Sequence, residues 1–329
     1  MADESAPASR RPGAGDTADG NFNGGAPRSA GVFERSNRLW YIRLARWFLP
    51  LLPLLRSFQE VDVASADQSS QASRLRMIAQ TARRVRRFNI RESGIRFHNP
   101  FDDAKLRILG EALRLRPGTR LLDLACGSGE MLCTWARDHQ ITGTGVDIAA
   151  EFLAKARARA AELGVSNRVR FVHADASRYV TDQPVDLAAC VGATWMAGGL
   201  DGTVAMLRRH LMPGGMLLIG ELYWQKLPPD EATVAGCQAA SVDEFRLLPD
   251  LLERLADLGC DVVGMVLADE DSWDRYVAAQ WLNIRLWLDA NPNNSLADEM
   301  RAELTAAPTR YVRYEREYLG WGAFALMNR

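Results

Sequence analysis

Lysine is nearly missing from this chain. Of 40 basic residues, all but Lys105, Lys155 and Lys226 are arginine, a skew that fits a GC-rich genome better than a binding function. Acids number 41, so the net charge is −1 and gives no global pull toward nucleic acid or a membrane surface. Cysteine is sparse too. Cys126, Cys133, Cys190, Cys237 and Cys260 are scattered, odd in number and without Cys-x-x-Cys spacing, which points to a reducing compartment and away from a zinc site. Long hydrophobic runs are absent: the first apolar stretch starts near Trp47 behind a polar tail, and its roughly nine residues are too short to span a bilayer. A cytoplasmic location is expected. No internal repeat is visible. What remains, 47% hydrophobic and 25% charged over 329 residues, suits a globular enzyme of one domain with appendages or two small domains.

The organising stretch runs from Leu121 to Asp147. It reads as an apolar strand, a turn of small residues (Ala125, Cys126, Gly127, Ser128, Gly129), a helix, and a second strand that ends on Asp147. A turn so poor in side chains lets the backbone approach a ligand and aims a helix N-terminus at it. An acid at the second strand tip is placed to accept hydrogen bonds from a ribose diol. A dinucleotide fingerprint would need a third glycine, and Leu132 stands there.

Around this stretch, strands and helices alternate with the rhythm of a doubly wound α/β sheet. Expected strands are 120–125, 142–147, 168–173, 185–191, 216–221, 261–267 and 318–327. Expected helices cover 102–115, 150–163, 203–211, 242–258 and most of 272–305, broken at Asn291-Pro292-Asn293-Asn294. Residues 1–31 are expected to be a disordered tail, and 32–92 an arginine-rich helical extension that caps the domain at 93–329. Within 32–58, Arg and Trp on an amphipathic stretch suit a membrane surface or a partner. A helix packed on the domain, or sequence upstream of the true start, is the preferred reading. Apolar residues from Leu75 to Phe88 repeat with helical period, and the arginines among them read as a solvated face.

The segments LDLACGSGEMLCTWA, ITGTGVDIA, VHADA, CVGATWMAGG and LMPGGMLLIGE resemble, in order and each at the end of its strand, the successive motifs of the class I S-adenosylmethionine (SAM) methyltransferases of the bacterial small-molecule type. The family's acid-x-Gly-x-Gly-x-Gly is matched by Asp123, Gly127 and Gly129, with Ala125 in place of the first glycine. The resemblance covers about residues 93–329. It implies a mostly parallel seven-stranded sheet of order 3-2-1-4-5-7-6, with strand seven antiparallel, helices on both faces and helical lid insertions at 222–240 and 271–315. It also implies that Asp123 and the Gly127–Gly129 backbone hold the methionine part of SAM. Asp147 would take the ribose hydroxyls, and Asp175 with the Ala176 backbone would read adenine. Ile148 and Ala176 would flank its plane, and Cys190 would stand at the end of strand four.

For methyl transfer, the catalytic candidates are Glu221, His98 and Tyr223, and the substrate-facing ones are Trp195 and Trp224. Each has a plainer reading: an ion pair with a lid arginine for Glu221, a packing or capping role for His98, and core for the aromatics. The loop D/N-P-P-Y/F of nucleic-acid amino-methyltransferases is missing, since Val191-Gly192-Ala193-Thr194 stands after strand four, so a flipped base is not the expected acceptor. No metal cluster is discernible. The expected function is methyl transfer from SAM to a small molecule. The alternatives are a non-catalytic SAM- or partner-binding module and, behind it, an NAD-dependent oxidoreductase.

Overall fold

The computed structural model describes residues 83–329. The expected tail 1–31, the stretch 32–58 and the start of the helix expected from residue 71 lie outside the described residues. From residue 83 a helix runs to 91. Its Arg83 and Arg87 pair with Glu299 and Glu303 of the helix Ala297–Arg310.

Seven strands form one sheet: β1 (Arg120–Leu124), β2 (Thr142–Asp147), β3 (Val169–His173), β4 (Val185–Val191), β5 (Leu211–Trp224), β6 (Cys260–Leu267) and β7 (Leu319–Asn328). Their order is 3-2-1-4-5-7-6, parallel from β3 through β5, with β7 antiparallel to both its neighbours. The expected order and the reversal of strand seven are both found. β1 shows why the sheet forms here. Leu121 packs into the apolar layer on one face, while Leu122 and Leu124 pack into the layer on the other. A strand covered on both faces reads as a continuous apolar run. Each such leucine contributes about 1.5–3 kcal/mol on burial.

The helices Glu130–Asp138 and Asp103–Ala112 help close the first layer through Leu132, Trp135, Leu106 and Leu109; Leu200–Arg208 and Leu248–Asp257 close the second through Val204, Leu207, Leu251 and Leu255. Because β3-β2-β1 run one way from β1 and β4-β5 the other, the chain reverses its winding between β1 and β4. The crevice outside the carboxyl ends of the strands at that switch point is where open α/β sheets hold ligands.

The helices expected at 102–115 and 203–211 are Asp103–Ala112 and Leu200–Arg208, and three further boundaries differ more. β5 is longer than 216–221: at its start Leu211 pairs with Val185 across a bulge, and at its end the pairing with β7 continues through Tyr223↔Gly320 and Trp224↔Leu319. Tyr223 and Trp224 are therefore sheet residues and not lid residues. The remainder of 222–240 is not all loop, since Asp230 caps a short helix, Glu231–Gly236, by accepting from the Thr233 amide. The single helix expected over 242–258 is a 3-10 turn, Val242–Glu244, followed by the helix Leu248–Asp257. Pro249 is the reason. Its ring lacks an amide hydrogen and would clash with the carbonyl four residues back in a helix interior, but it is tolerated in a first turn, so the helix starts afresh there. The helices Glu270–Ala290 and Ala297–Arg310 break where expected, at 291–294.

Candidate functional site

The turn after β1 is built on left-handed backbone: Ala125 has φ 64, Gly127 φ 54 and Gly129 φ 69. Ala125 stands where the resemblance has a glycine, yet it keeps the glycine-type conformation. Gly129 ends the turn and caps the helix Glu130–Asp138. A Cβ on Gly129 would lie 2.8 Å from the Phe171 ring and 2.9 Å from the Ala156 methyl. Gly129→Ala is thus expected to lower stability by about 2 kcal/mol, the usual scale of a left-handed backbone penalty joined to overpacking. Denaturant unfolding checks it, and a wild-type midpoint would contradict the packing argument. A Cβ on Gly127 would meet only the edge of the His98 ring, at 3.4 Å.

Asp147 fixes the turn from the neighbouring strand. Its two carboxylate oxygens accept from the Gly127 amide at 2.9 Å and the Ala149 amide at 2.8 Å. Burial raises its pKa, while those amides oppose the shift by favouring the charged form. Asp123, one strand away and 3% exposed, is pushed up to about 7, first by burial and then by the charge of Asp147.

Beyond β3, Asp175 accepts from the amide (3.0 Å) and hydroxyl (2.6 Å) of Ser177, the turn-forming role open to any Asp there. It also lies on the crevice wall beside Ala176. β4 runs out into a 3-10 turn, Thr194–Ala197, carrying Trp195. At the rim of β5, Glu221 accepts from the Thr194 hydroxyl at 2.5 Å and from the Leu222 amide at 3.0 Å. Burial pushes the Glu221 carboxyl up to about 7, against the lowering effect of these two bonds.

His98 arches over the glycine turn because its segment is tied down on both sides. Arg96 reaches the buried Glu130 at 2.9 Å, and Glu130 also holds Arg159 at 2.8 Å. The His98 ring lies within hydrogen-bond reach of Glu92 (Nδ1, 3.2 Å) and the Ser128 hydroxyl (Nε2, 3.0 Å), and packs 5.0 Å from the Phe152 ring. Glu92, 2% exposed, also accepts from Tyr276 at 3.2 Å and Gln280 at 2.8 Å. One carboxylate thereby joins the N-terminal helix, the turn segment and the helix Glu270–Ala290.

These elements line a cavity of about 370 Å³. Of the residues expected at the cofactor, Ala125, Gly127, Asp147, Ile148, Asp175 and Ala176 line it; so do His98, Glu221 and Trp195. Five expected residues are placed elsewhere. Asp123 lies beneath the turn, and Gly129 packs against Phe171 behind it. Cys190 is fully buried in the layer beneath the sheet, where desolvation raises its thiol, and its successors Val191 and Gly192 form the wall instead. Tyr223 is buried in that same layer. Trp224 packs on Phe245 and donates to the Val242 carbonyl at 2.7 Å. Pairing with β7 explains both: it carries β5 past Glu221, so Tyr223 and Trp224 are covered as sheet residues on its two faces.

Missed from the sequence were Glu92, Glu244 and Gln280, which also line the cavity. Gln280 is four residues after Tyr276 and so shares its helix face, the one local signal available. Among the described residues, no group of three or more His, Cys, Asp and Glu could hold a metal, and no helix is long and apolar enough to cross a membrane.

The family model described as "Methyltransferase domain" matches residues 121–215. The chain is 59% identical to a SAM-dependent methyltransferase from Geobacter sulfurreducens solved in complex with S-adenosyl-L-homocysteine. That alignment covers 74% of this chain and 98% of the relative, with a TM-score of 0.73. A SAM-dependent methyltransferase from Thiobacillus denitrificans, in complex with the same ligand, is 57% identical over 74% of this chain and 98% of its own, with a TM-score of 0.72. The uncharacterized protein YjhP of Escherichia coli is 57% identical over 242 residues, which are 74% of this chain and 98% of YjhP.

Proposed function

The chain belongs to the class I SAM-dependent methyltransferases and uses SAM as its cofactor; from that premise we propose that it methylates a small molecule held in the cavity at the β1–β4 switch point. The observation that carries this reading is the convergence of the glycine turn, Asp147, Asp175 and Glu221 on one cavity.

The wall suits the cofactor. Gly127 presents bare backbone to the cavity, and Asp147 spends only one lone pair of each oxygen on the turn, leaving acceptor capacity for a vicinal diol. Asp175 faces the same space, and Ile148 and Ala176 line it too, apolar surfaces for a purine. When bound, SAM supplies a methyl on a cationic sulfur, activated toward attack in line with the carbon–sulfur bond. The protein's task is then to orient and to exclude water, and alignment of this kind lowers a barrier by several kcal/mol.

Glu221 is the acid–base group, because its carboxyl faces the cavity and its desolvation matches its proton affinity to neutral pH. His98 has partners on both ring nitrogens and acts as the clip that seats residues 92–98 over the glycine turn. Trp195 gives the acceptor a flat apolar wall.

Calorimetry tests the cofactor half. S-adenosylhomocysteine is expected to bind with a Kd on the micromolar scale, and the absence of binding by it and by SAM at millimolar concentration would overturn the reading. Incubation with methyl-labelled SAM and a host metabolite extract tests the rest; label found only in macromolecules would remove the small-molecule acceptor.

A further inference from the structure

One buried acid joins the glycine turn to a helix wall of the same cavity. Glu92 is the first residue past the helix 83–91, and its amide still donates to the Phe88 carbonyl at 2.9 Å. A carboxylate at a helix C-terminus meets the negative end of the helix dipole. One that is 2% exposed is also stripped of water. Both effects disfavour an acid there, and its partners offset them.

Those partners lie on two different elements. Glu92 Oε1 accepts from the Tyr276 hydroxyl at 3.2 Å and from the Gln280 side-chain amide at 2.8 Å, one turn apart on the helix Glu270–Ala290. Oε2 lies 3.2 Å from His98 Nδ1, and His98 Nε2 lies 3.0 Å from the Ser128 hydroxyl. Ser128 stands between Gly127 and Gly129, the left-handed glycines of the turn. Gly127, His98, Glu92, Tyr276 and Gln280 all line the cavity, so the hydrogen bonds run round it from the turn to the helix. Members of such a buried network constrain one another's positions.

The middle of the route rests mainly on side chains. Residues 92–99 contain no helix or strand. Arg96 holds Glu130, the Ser128 hydroxyl donates to the Arg96 carbonyl at 3.3 Å, and Phe97 packs on the first apolar layer. Segments held in this way open at lower free energy than a sheet core. A Cβ on Gly127 would meet the His98 ring at 3.4 Å, so a ligand on the bare Gly127 backbone lies close to that ring. It restrains His98, and through Glu92 it restrains Tyr276 and Gln280. Ordering one part of a shared network lowers the cost of binding a second ligand at the other part, and such coupling is reciprocal.

We propose that Glu92 is a positioning residue for methyl transfer: it passes occupancy of the glycine turn on to Tyr276 and Gln280, so that this wall of the acceptor site is set once the cofactor is in place and the cofactor binds first. This rests on the methyltransferase reading and adds an order of binding to it.

Hydrogen exchange of the full chain, with and without S-adenosylhomocysteine, tests the coupling and needs no acceptor; calorimetry first verifies saturation of each protein. In the wild type the cofactor product is expected to slow exchange about fivefold or more, both in the turn 125–130 and in 273–280, the lower end of usual coupling factors. His98→Leu breaks the route without altering Tyr276 or Gln280, and the double variant Tyr276→Phe/Gln280→Met breaks it on the other side. In each, the slowing in 125–130 should persist and that in 273–280 should disappear. Glu92→Gln is the conservative variant: its oxygen can accept from Tyr276 and Gln280 while its NH2 donates to a neutral His98, so both effects should be retained. A purely structural network would quicken exchange in 273–280 with and without the product alike, leaving their ratio as in the wild type, and that result overturns the proposal. So does a wild type that binds the product with no slowing in 273–280, although the methyltransferase reading then stands. A wild type that binds neither the product nor SAM overturns both.

Discussion

Replacing Asp147 by alanine is expected to weaken S-adenosylhomocysteine binding by about a hundredfold or more. A hydrogen bond to a charged group contributes roughly 1.5–3 kcal/mol, and a carboxylate facing a vicinal diol makes two, so a loss of ~3 kcal/mol is a conservative figure. The substitution also removes the acceptor for the Gly127 and Ala149 amides, which loosens the backbone that must lie against the ligand. Stability should fall much less than affinity. Asp147 is one of two buried acids in close apposition, and its charge pushes up the proton affinity of Asp123, so its removal relieves a repulsion while it orphans two amides. Asp147→Asn, which keeps one acceptor, should lie between wild type and alanine. Calorimetry with S-adenosylhomocysteine, run beside thermal unfolding, separates the two effects. An unchanged affinity in a folded Asp147→Ala protein would take Asp147 out of the cofactor site.

How much of this site can be read in advance depends on whether it is local in sequence. β4 begins and ends where its apolar run and the flanking Pro184 and Gly192 place it, because a strand buried on both faces leaves little choice, and β2 ends where expected, on Asp147. Asp147 ends β2, Asp175 lies just past β3, and Glu221 follows the last parallel pair of β5 with β4, so the parallel register brings all three to one rim whatever the loops do. The errors share a physical cause. Tyr223 and Trp224 look like lid residues only if β5 stops at Glu221, and what prolongs β5 is its antiparallel partner almost a hundred residues later. Cys190 follows an apolar run whose alternation gives no sign of which side faces the ligand. Glu92, Glu244 and Glu315 belong to three separate connections, and only their packing against the strand rim makes them neighbours of one cavity. An acid in a connection ordinarily reads as solvated surface, and the burial of Glu92 and Glu244 shows otherwise.

Glu221→Gln is expected to lower kcat by about 10²–10⁴-fold, the usual span for loss of a positioned acid–base group, with S-adenosylhomocysteine affinity nearly unchanged. The pH dependence follows from the cause of the shift. Burial raises the Glu221 carboxyl from 4.5 to about 7, and it must be ionised to accept a proton. In the wild type, kcat/KM should therefore rise with pH through about 7 and level off above, and in Glu221→Gln that limb should disappear. The linked stability effect has the opposite sign. Between 4.5 and about 7 the folded protein retains a proton that the unfolded chain has released, so the contribution of Glu221 is fully present below 4.5 and is lost as pH rises through about 7. Glutamine does not titrate. The variant should gain on the wild type across that window and be the more stable protein at pH 8, by on the order of 1–3 kcal/mol. Since a glutamine oxygen can accept from the Leu222 amide while the Thr194 hydroxyl turns to accept from the glutamine NH2, the fold should tolerate the change. Unfolding midpoints measured from pH 4.5 to 8.5 need no acceptor and test the buried ionisation alone; rates with the acceptor returned by the labelling experiment test the chemistry. A variant that is more stable at pH 8 but as fast as wild type would leave Glu221 a strained rim residue with no part in proton transfer.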